Sequence, residues 1–283
     1  MKVAILSSTT AEPSTRSVRI LDLCTGTGCI ALLLSHFLGW QPQYQFRTLG
    51  IDISSCAISL ARQNLALINH HEWGGPLLPN QLKPIVKFAR ADVMSTAPSM
   101  GAGHGSKARS FENLLANRGH ETFDILVSNP PYISPRAFRN GTTSRSVRLF
   151  EPKEALVPLP SPSGHASGIA QGDQFYPRIL QIAGNVGAKV VLMEVGDEAQ
   201  ALRVAQLVLE SDGWEGTEVW HDGVENSEWS GEISDESRTM LVNGKPRELR
   251  IIGRNASDKQ GPREGRAVLC WRGEGAHWLD KRS

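Results

Sequence analysis

Residues 20–32 read ILDLCTGTGCIAL. Together with Val18 and Arg19 the first part of this stretch is a near-continuous apolar, β-branched run, VRILDLC (18–24), as in a parallel strand buried on both faces. Gly26-Thr27-Gly28 follows, and from Cys29 to Leu38 the apolar residues fall at helical spacing. A buried strand, a glycine turn and a helix make a recurrent nucleotide cradle. Gly26 and Gly28 carry no Cβ, so the backbone can approach a ligand closely. The helix N-terminus then offers unpaired N–H groups.

Working outward, residues 46–53 read as a second strand ending at Asp52, and Ser54 as the N-cap of a helix over 56–68. Ile85–Arg90 is a third strand, running into Ala91-Asp92. Residues 123–128 (FDILVS) are a fourth, stopped by Asn129-Pro130-Pro131-Tyr132. A fifth covers 189–195, an amphipathic helix covers 197–210, and 217–220 and 267–271 are candidate closing strands. Strands alternating with helices predict a three-layer α/β sandwich around a mainly parallel sheet. Residues 97–120, 157–170 and 223–265 are rich in Gly, Ser, Pro and polar residues, and are expected as surface loop insertions, the first with a short helical patch near 111–115. Residues 1–17 are expected as a disordered leader, and 18–283 as one domain.

Composition narrows the class. The chain has 283 residues, 40% of them apolar, enough for one sizeable core. Lys plus Arg is 30 and Asp plus Glu is 29; the net charge of +1 argues against a general polyanion binder, so direct nucleic-acid binding is not expected. No apolar run approaches the ~18 residues of a membrane span. Cys24, Cys29, Cys56 and Cys270 show no C-x-x-C spacing, and His70 and His71 are adjacent and point apart, so neither a disulfide framework nor a metal site is expected. No secretory signal opens the chain.

Three acids stand at strand ends. Asp22 precedes the glycine turn, Asp52 ends the second strand and Asp92 the third. Open α/β sheets bind ligands along that edge, where a carboxylate after the second strand takes both hydroxyls of a ribose. One after the third can reach an adenine amino group. Gly26-x-Gly28-x-x-Ala31 also fits the NAD fingerprint, so an NAD oxidoreductase stays open on the cradle alone. Asn129-Pro130-Pro131-Tyr132 adds what such an enzyme does not need. Two prolines fix φ and remove two donors, leaving carbonyl acceptors. The Asn129 side chain adds another acceptor and Tyr132 a flat aromatic face. The set suits a planar nitrogen bearing two N–H groups, an amide or an exocyclic amine.

The blocks ILDLCTGTGCIAL (20–32), GIDIS (50–54), ADV (91–93) and FDILVSNPPYIS (123–134) resemble the class I S-adenosylmethionine-dependent methyltransferases. More narrowly they resemble the HemK/PrmC protein-(glutamine-N5) methyltransferases, which modify the Gly-Gly-Gln motif of peptide-chain release factors. FEPKEAL (150–156) matches that family's E-P-x-x-A-L segment and GDQFYPRIL (172–180) its G-x-x-x-x-Y-x-x-I helix. The likeness covers about 18–220 and resumes near 266–272. It implies a Rossmann-like fold, a mainly parallel seven-stranded sheet with an antiparallel closing strand, S-adenosylmethionine as cofactor and a release factor as protein substrate. The cofactor-binding residues expected are Asp22, Thr25, Gly26, Gly28, Asp52, Ile53, Asp92, Val93 and Asn129. The catalytic residues are Asn129, Pro130 and Tyr132, with Pro131, Tyr132 and Glu151 against the substrate. A monomer is expected, mitochondrial if a targeting segment lies in 1–19 or upstream and otherwise cytoplasmic. A nucleic-acid adenine-N6 methyltransferase and a catalytically silent methyltransferase-like binding protein are the alternatives.

The sequence departs from the family in three ways. Cys24 stands where many relatives have glycine. The family's N-terminal helical substrate-docking domain is expected to be missing ahead of the first strand. The insertions at 97–120 and 223–265 exceed the bacterial pattern. Arg136, Arg139, Arg145 and Arg148 form an acid-free stretch after the Asn-Pro-Pro-Tyr motif, either a solvated loop or contact with an acidic or RNA-associated partner. Glu194 is either structural or lines the pocket, and the C-terminal tryptophans read as packing residues.

Overall fold

The structure, a computed structural model, describes residues 16–38, 44–70, 84–95, 108–159, 168–221, 233–254 and 265–279. In chain order the elements are β1 (Arg16–Leu23), α1 (Cys29–Leu38), β2 (Tyr44–Asp52), α2 (Ser55–His70), β3 (Ile85–Arg90), α3 (Phe111–Ala116) and β4 (Ile125–Ser128). Next come α4 (Pro135–Arg139), α5 (Arg145–Phe150), α6 (Lys153–Leu156), α7 (Gly168–Asp173), α8 (Phe175–Asn185), β5 (Val190–Glu194) and α9 (Glu198–Glu210). The chain closes with β6 (Gly216–His221), β7 (Ile233–Val242), β8 (Lys245–Arg254), β9 (Gly265–Trp271) and α10 (Glu274–Leu279). These fall into two compact units.

The first unit holds the described residues up to Asn129, with Gln181–Ala188. Its strands run β3-β2-β1-β4, all parallel. Ile20, Leu21 and Leu23 of β1 are wholly buried, as the unbroken apolar run predicts for a central strand. Helices α1 and α2 pack through Ala31, Leu32, Ile58 and Ala61 on Phe88 of β3. Gly28, at φ +82°, has to be glycine for two reasons: an added Cβ would stand 2.6 Å from the Phe88 ring, and φ is left-handed. Ser54 starts α2 as expected, its hydroxyl accepting from the Ala57 amide at 3.2 Å.

The second unit holds Pro130–Leu180 and the described residues from Lys189 onward. Its strands run β5-β9-β6-β8-β7. The last strand in sequence, β9, is inserted antiparallel between β5 and β6. Helix α9 starts at Asp197, whose side chain accepts from the Gln200 amide, and buries Ala201, Val204, Ala205 and Val208. After Tyr132 come three short helices that the sequence did not announce, α4 to α6; Ser134 and Ser144 cap the first two.

Two expectations need correcting. The described strands number nine, not seven, because residues 233–254 form a hairpin rather than part of a loop insertion. Its strands pair antiparallel over their full length around an Asn243-Gly244 turn in which both residues have positive φ, +51° and +75°. β8 then lies parallel to β6 over Glu218–Trp220. Residues 222–232 and 255–264, the rest of that expected insertion, lie outside the described residues. The single helix expected over 172–180 is two, α7 and α8, interrupted at Gln174. Of the other expected insertions, 96–107 and 160–167 lie outside the described residues, α3 occupies the helical patch, and the leader lies outside them.

Candidate active site

In the first unit the register places the expected cofactor residues at one edge. Leu23 of β1 stands beside Ile51 of β2 and Ser128 of β4, and Asp52 beside Arg90 of β3, so the loops after β1, β2, β3 and β4 leave from the same end of the strands. That end carries Asp22, Asp52, Asp92 and Asn129, as read from the sequence.

The turn after β1 is tightly wound. Cys24, Gly26 and Gly28 all have positive φ, at +59°, +55° and +82°. For Cys24 this is a conformation that glycine adopts without penalty and an L side chain does not. The turn therefore survives the cysteine, with strain. It is closed by Thr25 N–H to the Ile51 carbonyl and Gly28 N–H to the Thr25 carbonyl, each 2.9 Å. Asp52 stitches it to β2: Oδ2 accepts from the Gly26 amide at 2.9 Å and Oδ1 from the Ser54 amide at 2.8 Å. Asp92 likewise organises the loop after β3, its Oδ1 accepting from the Met94 and Ser95 amides at 2.9 and 3.2 Å. Its own backbone is held by Arg109 and Phe111. Val93 is buried, whereas Ile53 and Met94, one after Asp52 and two after Asp92, are exposed apolar side chains.

Asp22 is the unusual member. It is wholly buried, its Oδ2 accepts from the Thr25 hydroxyl at 2.6 Å, and its Oδ1 has no hydrogen-bond partner among the described residues. Burial drives its pKa up to about 7, although the Thr25 hydrogen bond and the Ala31 amide favour the carboxylate. The Cys24 thiol is also pushed up, by loss of solvent around it and by the Asp52 and Asp22 charges.

In the second unit Pro130 and Pro131 are buried and Tyr132 is half-buried. The Tyr132 hydroxyl donates to Glu194 Oε1 at 3.1 Å, so Glu194 holds the motif's tyrosine. Burial, then the Glu194 charge, pushes the phenol up to about 12, so it stays a neutral donor. The next amide, Ile133, donates to the Leu156 carbonyl at 2.9 Å, which gives the FEPKEAL block a structural task. Gln200, which nothing in the sequence singled out, donates to the Tyr132 carbonyl at 3.3 Å. Glu151 is exposed and its amide closes α5 on the Val147 carbonyl. Of the four arginines, Arg136, Arg139 and Arg145 are exposed, while Arg148 is half-buried and reaches the Phe138 carbonyl at 3.5 Å. Among the described residues no three His, Cys, Asp or Glu side chains gather as metal ligands, and no helix is long and apolar enough to cross a membrane.

The first-unit edge fits a cationic nucleoside. A Cβ on Gly26 would meet nothing within 4 Å, so the turn has an open face. Two carboxylates flank it, exposed apolar side chains stand beside each, and a buried carboxylate oxygen lacks a partner. The strand order, with an antiparallel strand between β5 and β6, and this edge define the Rossmann-like class I methyltransferase fold.

Relatives narrow the class, although no family model matches the chain. It is 27% identical over 236 residues to the probable MRF1 mitochondrial N(5)-glutamine methyltransferase mtq1 of Schizosaccharomyces pombe, covering 83% of this chain and 62% of that protein. It is 30% identical over 159 residues to the mitochondrial MRF1 N(5)-glutamine methyltransferase MTQ1 of Saccharomyces cerevisiae, covering 55% and 38%. It is 30% identical over 215 residues to the release factor glutamine methyltransferase of Nitratidesulfovibrio vulgaris, covering 75% and 57%. The chain thus resembles the protein-(glutamine-N5) methyltransferases, as its motifs indicated, and the matches span less than two thirds of each relative's length.

Proposed function

We propose that the protein transfers a methyl group from S-adenosylmethionine to the side-chain amide nitrogen of a glutamine, in the Gly-Gly-Gln motif of a peptide-chain release factor. The observation that carries this is the Asn129-Pro130-Pro131-Tyr132 segment following β4, its prolines buried and its tyrosine tied to Glu194. The names of the relatives support glutamine over adenine as acceptor, and the two yeast names support a mitochondrial release factor.

The cofactor would supply a methyl group on a sulfonium, a strong electrophile. Asp52 would hold the ribose hydroxyls and Asp92 the adenine amino group, with Ile53 and Val93 beside the ring. Asp22, Thr25, Gly26 and Gly28 would line the amino-acid end. An amide nitrogen is a poor nucleophile, so this chain's task is mostly orientation, which can supply roughly 7–11 kcal/mol. The Asn129 side-chain oxygen and the Pro130 carbonyl each accept one N–H of the glutamine amide, Pro131 and Tyr132 pack against its plane, and charge building on nitrogen is thereby favoured. Glu151, exposed at the end of α5, would meet the substrate protein rather than the reacting amide.

The test is mass spectrometry of a release factor incubated with the protein and S-adenosylmethionine, beside single-stranded DNA. Asn129→Ala should lower turnover by about a hundredfold to a thousandfold, by analogy with one lost oxyanion donor, at nearly unchanged cofactor affinity. Labelled DNA with an unlabelled release factor would move the assignment to adenine.

A further inference from the structure

Four groups from three separate segments converge on one buried amide. Gln200, in the first turn of α9, is 4% exposed. Its Nε2 lies 3.3 Å from the Tyr132 carbonyl, 3.3 Å from the Gly172 carbonyl and 2.8 Å from Asp173 Oδ1. Its Oε1 accepts from the Gly196 amide at 2.8 Å. Both donors and the acceptor of the side chain are therefore engaged. Asp173 is in turn gripped by Arg203, one turn further along α9, at 2.6 and 3.0 Å. The Tyr176 hydroxyl donates to the carbonyl of Glu194, the residue that receives the Tyr132 hydroxyl.

Two glycines complete the clasp. A Cβ on Gly172 would stand 2.8 Å from the Tyr132 carbonyl oxygen, and one on Gly196 would stand 3.1 Å from the Tyr132 ring. The chain therefore closes on the backbone of Tyr132 from one side, at a distance that excludes a Cβ, and tightly on its ring from another. The first contact gives a physical reason for the glycine that opens the GDQFYPRIL block.

We infer that Gln200 is a positioning residue for the acceptor motif: its amide, between Gly172 and Gly196, fixes the Tyr132 backbone and so the direction of the Pro130 carbonyl two residues earlier. This rests on the proposed reading only in taking that segment to hold the methyl acceptor. Prolines cannot donate, so Asn129-Pro130-Pro131 has few backbone bonds of its own with which to set its path. The anchor has to come from the residue that follows: Glu194 at the end of β5 holds its hydroxyl, and the Gln200 side chain holds its backbone.

The experiment uses the full chain and two variants. Gln200→Met keeps length and removes the side-chain hydrogen bonds; Gly172→Ala keeps Gln200 and displaces the Tyr132 carbonyl. Backbone hydrogen exchange over 132–134 should quicken at least tenfold in both, with exchange over β1 and affinity for S-adenosylhomocysteine unchanged. On a Gly-Gly-Gln substrate kcat should fall by about a hundredfold, the scale of a misplaced reacting group, while KM changes less than threefold. Unchanged exchange over 132–134 in either folded variant overturns the inference, as does a rise in KM without loss of kcat. If the wild type labels DNA and not the release factor, the glutamine reading fails, and the same kcat loss on DNA still supports Gln200. If it labels neither, the exchange result decides.

Discussion

The buried carboxyl of Asp22 makes stability fall as pH rises through a defined window. Its pKa is lifted from 3.8 to about 7, a rise of about three units. At about 1.4 kcal/mol per unit, ionising it in the folded protein costs ~4 kcal/mol more than in the unfolded chain. The raised value means that the folded state keeps a proton the unfolded state has released. The contribution is thus full below about pH 4, shrinks as pH climbs toward 7 and is flat above. Asp22→Asn removes the titration and leaves an oxygen for the Thr25 hydroxyl. Denaturant unfolding of both proteins at pH 5, 6, 7 and 8 should show the wild type losing roughly 3 kcal/mol relative to the variant between pH 5 and 8. Binding of the cationic cofactor should favour the carboxylate, so calorimetry near pH 6 in two buffers of different ionisation enthalpy should show proton release, absent in the variant. Parallel stability profiles would mean that water or a donor reaches Oδ1, and the argument from its burial would be wrong.

Three further outcomes are expected. Asp52→Ala removes the acceptor of both the Gly26 and Ser54 amides, so it should lower unfolding free energy by about 2–3 kcal/mol as well as weaken S-adenosylhomocysteine binding; loss of binding at unchanged stability would show the two clamps idle. Cys24→Val puts a β-branched residue at φ +59° and should cost at least ~2 kcal/mol in denaturant unfolding, with a neutral result arguing that the turn relaxes. Gly244→Val, at φ +75° in the hairpin turn, should speed hydrogen exchange over 236–250 while β1 and β2 exchange as before; slowed or unchanged exchange there would refute the turn's role.

The parts of the fold that were legible in the sequence are those whose strands are buried on both faces. Residues 18–24 and 123–128 are apolar runs because sheet neighbours and helices cover them, and the structure places strands at Arg16–Leu23 and Ile125–Ser128. The hairpin β7–β8 escaped for the opposite reason. Most of residues 237–248 are exposed, and the alternation that would mark a strand is confined to 248–251, where Leu249 and Ile251 are buried. The backbone ladder runs the full length of the pair, and a ladder leaves no trace in side-chain pattern. One signal was present: Asn243-Gly244, the dipeptide best suited to two consecutive positive φ values, set inside a stretch whose polarity read as loop.

The same division runs through the site. Asp52, Asp92 and Asn129 could be singled out because each puts a polar side chain at the end of a strand, although the sequence did not show that Asp52 and Asp92 also hold the backbone of their own loops. Gln200 could not. On an amphipathic helix a glutamine reads as part of the solvated face, and only the folded chain shows that its neighbours at Gly172 and Gly196 leave it in the interior. Glu194 lay between, a charged residue ending a buried strand, and in the structure it receives the Tyr132 hydroxyl. The family blocks at 150–156 and 172–180 were recognisable as patterns without a visible cause. The causes are backbone contacts: Leu156 accepts the amide after Tyr132, and Gly172 admits the Tyr132 carbonyl. Residues that bear chemistry announce themselves by type, whereas residues that aim it are chosen for fit and stay silent until the backbone they fit is in place.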